Sequence, residues 1–163
     1  MADPTSNEFA RRAVGAPTGL VALAHAAALA QSLEPELVCA IVEQESSWNR
    51  WALRYEPAFY ARYVEAQFVR GAISDEGEAR ARAFSWGLMQ VMGQVAREHG
   101  FTGASLAALC DPATCLAIGC RAFAAKIAAA EGNVMRALLL WNGGANPDYA
   151  AAVMARAAHY RLS

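Results

Sequence analysis

The sequence predicts a single all-α domain, and three observations predict it. The chain has 163 residues, enough for one domain with one sizeable core. It is 56% hydrophobic, and much of that fraction is alanine, the strongest intrinsic helix former. Its apolar residues recur at helical spacing, and no stretch alternates convincingly as a strand.

Each element follows from local signals. Residues 1–16 are polar, carry Arg11 and Arg12 and lack periodicity, so they read as a flexible N-terminal arm ahead of a domain at 17–163. Pro17-Thr18 opens a helix holding Leu20, Leu23, Ala24, Ala27, Ala28 and Ala30. Pro35 restarts the chain, with proline pre-organised for a first helical position and Glu36 in the first turn. Leu37, Val38, Ile41 and Val42 form one face of that helix; Glu45 continues it, and Glu43 does not.

Pro57 starts a third helix through Phe59, Tyr60, Tyr63, Val64, Phe68 and Val69, ending near Gly71, with its aromatics read as core packing. Residues 74–82 are strongly charged and read as a short exposed helix or loop. Gly87 breaks the chain before Leu88-Met89-Gln90-Val91-Met92, and 93–99 give a short helix closed by Gly100. Asp111-Pro112 opens a long helix with Leu116, Ile118, Ala122, Phe123 and Ile127. Asn133 caps Val134 to Trp141, and Pro147 or Asp148 begins a last helix to about Arg161.

Composition also excludes. A formal charge of -1 argues against nucleic acid as partner and against simple electrostatic attraction to an anionic cell wall. No segment approaches the roughly 18 unbroken apolar residues of a membrane span. The N-terminal residues lack the basic and apolar regions of a secretory signal, so synthesis in the cytoplasm without a signal peptide is expected. His25, His99 and His159 stand apart, and no Cys-x-x-Cys pair occurs, so neither metal nor cofactor is expected. Cys39 reads as a small core residue; a disulfide from Cys110 to Cys115 or Cys120 stays open should the protein mature outside the cytoplasm. A monomer is expected.

Three motifs carry chemistry. Glu45 ends an apolar helical stripe, where partial desolvation raises a carboxyl's pKa and makes it a proton donor near neutrality. Gly87-Leu88-Met89-Gln90 and Trp141-Asn142-Gly143-Gly144 supply a glycine-hinged strip and an aromatic-amide turn. Together they suit binding and cleaving a sugar chain. No second acidic residue accompanies Glu45 in these motifs; Glu43, Glu56, Asp75 and Glu76 are off its face or in the segment 54–84. Plainer readings stand beside these: a solvated Glu45, a turn-capping Gln90, core-filling Met89, a simple tight turn at Asn142, and tryptophans 48, 86 and 141 as packing residues.

With Glu45-Ser46, Gly87-Leu88-Met89-Gln90, Trp141-Asn142-Gly143-Gly144 and Asp111-Pro112, the sequence resembles the lytic transglycosylase domains of the lysozyme superfamily. It is most similar to the soluble-type catalytic domain, including small versions from phages and prophages. The resemblance spans roughly residues 20–160. It implies a lysozyme-like, two-lobed helical arrangement around a cleft for peptidoglycan glycan strands. It implies Glu45 as catalytic acid and base, with Ser46, Gln90, Met92, Trp141, Asn142 and Tyr149 lining the cleft. The implied reaction cleaves the MurNAc-GlcNAc β-1,4 bond and leaves 1,6-anhydroMurNAc ends. Access to the wall would follow lysis, virion entry or dedicated secretion. A goose-type-lysozyme-like hydrolase and a non-catalytic wall-binding or assembly module remain the alternatives. Three departures stand out: the long Glu45–Gly87 spacing, Trp141 in place of tyrosine, and Gly93 where proline is common.

Overall fold

The computed structural model describes residues 17–161; the expected N-terminal arm at 1–16 lies outside them. Helix α1 (Thr18–Ala30) buries Val21, Ala24 and Ala28, a stripe of three- and four-residue steps. Helix α2 (Pro35–Ser46) has proline in its first turn and buries every residue from Leu37 to Val42. Such all-round burial makes α2 the central rod of the core rather than a surface helix. It packs against α1 and against α8 (Tyr149–Tyr160).

Helix α6 (Pro112–Ala129) forms the second axis of the core. Asp111 caps it by accepting from the Thr114 N–H at 2.9 Å, and Pro112 takes the first turn. On length and composition alone α6 could cross a bilayer, although Arg121 and Lys126 interrupt its apolar run. Its Cys115, Leu116, Ile118, Cys120, Ala122 and Phe123 are buried in the main core instead. Helix α7 (Val134–Trp141) follows, capped by Asn133.

The segment between α2 and α6 departs from the all-helical expectation. Three short strands, β1 (Leu53–Tyr55), β2 (Phe84–Trp86) and β3 (Val91–Met92), form an antiparallel sheet in the order β1-β2-β3. Helix α3 runs from Pro57–Phe59 through a π-helical turn at Tyr60–Val64 into Glu65–Val69. Helix α4 (Glu76–Arg82) is capped by Asp75. The β1–β2 pair is therefore the stem from which α3 and α4 hang. Val64, Ile73 and Ala79 form a small separate cluster there with Phe59, Tyr60 and Phe68. The aromatic helix thus packs within its own lobe, while Tyr63 and Val69 stay exposed. Helix α5 (Gly93–Glu98) closes the segment.

All four cysteines are free; Cys39, Cys115 and Cys120 are buried and Cys110 is half-buried, so the disulfide left open by the sequence is not formed. The fold is mostly helical with one small sheet, a larger helical body and a smaller lobe.

Candidate active site

Helix α2 ends abruptly one residue after Glu45. Ser47 and Trp48 adopt left-handed backbone conformations with φ of 50° and 64°, each costing about 1–2 kcal/mol for a non-glycine residue. Burial of Trp48 and its indole N–H bond to the Tyr160 hydroxyl at 3.0 Å offset that strain. The turn leaves Glu45 at the helix end, half-buried rather than solvated.

Two motif residues from the C-terminal part meet Glu45. The Tyr149 hydroxyl donates to Glu45 Oε1 at 2.5 Å, and the Trp141 indole N–H acts on the same carboxyl, favouring its ionised form. Burial raises the Glu45 pKa above the ordinary carboxylate range; the bond from Tyr149, the Trp141 indole N–H and then the charge of Arg54 pull the other way without cancelling it. Burial and the adjacent carboxylate push the Tyr149 phenol far above its usual range, so it stays a donor. The charge that acts on Glu45 from the small lobe is the Arg54 guanidinium, a cation. Glu43, two residues earlier, is held elsewhere: Tyr160 donates to it at 2.6 Å and Arg156 lies 3.6 Å away.

The Gly87–Gln90 strip is tied to Ser46, the residue after this acid. Gly87 has φ 65°, and a Cβ there would sit 2.4 Å from the Leu109 carbonyl oxygen, so only glycine fits. Ser46 Oγ is placed 2.8 Å from the Leu88 carbonyl and 3.1 Å from that of Val42, tying α2 to the strip. Gln90, also left-handed, donates through Nε2 to the carbonyls of Ala52 and Gly87 and accepts from Ser85. Its amide is thus occupied within the protein, bracing the strip to the sheet. Met89 fills the core against Gly119, whose missing Cβ makes the room. Met92 is half-buried on β3 opposite Ser85.

The Asn142 turn closes α7. Gly144 N–H bonds the Leu139 carbonyl and Gly143 N–H that of Leu140, a Schellman arrangement with Gly143 left-handed at φ 70°. Asn142 Nδ2 donates to the Asn146 carbonyl, so its side chain steadies the loop leading to Tyr149. Trp141 also packs edge-on against Phe123, with ring centroids 5.6 Å apart.

Glu45, Trp141 and Tyr149 therefore converge, while Ser46, Gln90 and Asn142 brace the chain around them. Arg54 was missed from the sequence; its signal was the alternation Leu53-Arg54-Tyr55, too short to mark a strand. Among the described residues no His, Cys, Asp and Glu side chains gather as a metal site.

The mostly helical fold holds one half-buried carboxyl, Glu45, beside a phenol and an indole. The model of the transglycosylase SLT domain family matches residues 22–160, and the chain belongs to that family. No curated protein and no solved structure gives a significant match. The family implies a peptidoglycan substrate.

Proposed function

We propose that the protein is a peptidoglycan lytic transglycosylase that cleaves the MurNAc-GlcNAc β-1,4 bond with Glu45 as its one catalytic carboxyl. The supporting observation is the company Glu45 keeps. Among the described residues, the groups acting on it are a phenol, an indole and a guanidinium, none of which replaces the second carboxylate that hydrolysis normally recruits.

The proton accounting closes with one acid. Protonated Glu45 donates to the glycosidic oxygen as the C1–O4 bond breaks, releasing the GlcNAc 4-hydroxyl. The carboxylate left behind removes the proton from the 6-hydroxyl of the MurNAc unit, whose oxygen then bonds to C1. Glu45 is protonated again, and no water is consumed. Tyr149 and Trp141 aim the carboxyl in both steps and offset its charge between them. Ser46, Gln90, Met92 and Asn142 shape the cleft walls around the glycan strand.

Digestion of purified peptidoglycan followed by mass spectrometry tests this. Each new end is expected one water lighter than a reducing MurNAc end. Hydrated ends alone would assign a muramidase instead, and the absence of any cleavage would leave a binding module.

A further inference from the structure

The sheet sorts its side chains by strand alternation. Residues directly opposite in an antiparallel pair project from the same face. Arg54 faces Ser85 across β1 and β2, and Ser85 faces Met92 across β2 and β3, so these three form one row across the sheet. Leu53, Tyr55, Phe84, Trp86 and Val91 fall on the other face. The row joins the Gly87–Gln90 strip, because Ser85 donates to Gln90 at 2.8 Å, and the Arg54 charge reaches Glu45.

Arg54 is the exposed end of that row, its side chain 72% accessible. Its Nε lies 2.5 Å from Glu56 Oε1, which grips the guanidinium by one edge. Among the described residues its two terminal nitrogens meet no acceptor. An exposed ion pair of this kind adds at most about 1 kcal/mol to stability, so the pair does little for the fold. A guanidinium fixed along one edge instead presents a planar fork of N–H donors that matches a carboxylate bidentately.

We propose that Arg54 is a specificity-determining residue that receives a carboxylate carried by the muramyl unit of the bound glycan. The inference rests on the transglycosylase reading for its ligand. Muramyl units carry carboxylates either on the peptide stem or, where the stem has been removed, on the lactyl group itself. Bulk charge does not draw this protein, at -1, toward an anionic wall. A local cation at the site mouth supplies the attraction only where the substrate is registered, and Glu56 keeps the rim from becoming a general anion trap.

Calorimetric binding to Glu45→Gln protein, which separates binding from turnover, tests the assignment. Three probes are compared: a stem-bearing GlcNAc-MurNAc oligomer, the same oligomer stripped to free lactyl carboxyls, and a neutral GlcNAc oligomer of equal length. Adding Arg54→Gln is expected to weaken a carboxylate-bearing probe about tenfold and the neutral one less than about twofold, with Arg54→Lys recovering part of the loss. A larger loss on the stripped oligomer assigns the lactyl carboxyl, and a larger loss on the stem-bearing one assigns the peptide. Equal weakening of all three, no weakening, or no glycan binding by the Arg54 protein overturns the proposal. Digestion by the unsubstituted enzyme is scored separately. Selective binding through Arg54 without any cleavage would remove the enzymatic reading and leave the carboxylate site standing.

Discussion

The Tyr149 hydroxyl donates to Glu45 Oε1 at 2.5 Å, joining the first residue of α8 to the last turn of α2. The contact crosses the domain's main helix pair, so the packing that builds the core also sets the carboxyl's direction. Glu43 on the same helix is drawn to Tyr160 and Arg156 farther along α8. Two carboxylates leave one helix end, and only Glu45 is left to face the strip and the Trp141 turn.

Removing the Tyr149 hydroxyl makes a first prediction. Its bond favours the ionised carboxyl, so Tyr149→Phe raises the Glu45 pKa further. The acid stays protonated to higher pH and the base forms later. The pH–rate profile for muropeptide release is expected to shift upward, with kcat reduced about tenfold through lost orientation. An unshifted profile would show that Tyr149 does not act on Glu45.

Glu45→Gln is expected to lower cleavage about a thousandfold while leaving the fold intact. The stability effect has a definite sign. Burial raises the folded-state pKa of Glu45, so the wild type has its full contribution from this group below the ordinary carboxylate range and loses it as pH rises through the raised value. Glutamine does not titrate. The melting temperature of the variant should therefore gain on the wild type between acid and neutral pH. Parallel Tm curves across that range would contradict a desolvated carboxyl.

Gly87→Ala and Gly143→Ala separate strain from collision. Both glycines have positive φ, but a Cβ at Gly87 meets the Leu109 carbonyl oxygen at 2.4 Å, whereas nothing lies within 4 Å at Gly143. Alanine at 143 is expected to cost about 1 kcal/mol and at 87 about 3 kcal/mol, measured by urea unfolding. Equal costs would mean that the 87–90 strip yields easily.

The helix starts were legible because their signals are local. Pro35, Asp111-Pro112 and Asn133 each act on their own turn, and the helices begin at these residues or at the one following. The order of motifs likewise located Glu45 and Tyr149. What the sequence hid depends on distant partners. Leu53-Arg54-Tyr55 and Phe84-Ser85-Trp86 alternate correctly but are three residues each, and only pairing across the intervening lobe makes them a sheet. The same holds for Gln90, whose amide looked free to bind ligand until the carbonyls of Ala52 and Gly87 and the Ser85 hydroxyl were found around it.

Glu78 offers a final test, of what holds the small lobe in place. Arg97 from α5 grips its carboxylate with two bonds of 2.8 and 3.0 Å, and Arg82 adds one of 2.9 Å. Burial alone would raise the Glu78 pKa, but the bonds from Arg97 and Arg82 outweigh it and hold the carboxyl below the usual range. The stabilisation is present above the ordinary carboxylate pKa and is lost as pH falls through the depressed folded value. Glu78→Gln is expected to cost about 2 kcal/mol at neutral pH, and the difference from wild type should shrink in acid. Glu76→Gln, which breaks the exposed pair with Arg80, should leave the unfolding curve where it was. Because α4 hangs from the strand pair that carries Arg54, loosening Glu78 should also weaken binding of carboxylate-bearing glycans more than neutral ones. Urea unfolding at two pH values, with the calorimetric comparison of probes, measures both; a stability loss with no change in probe preference would uncouple the lobe from the site.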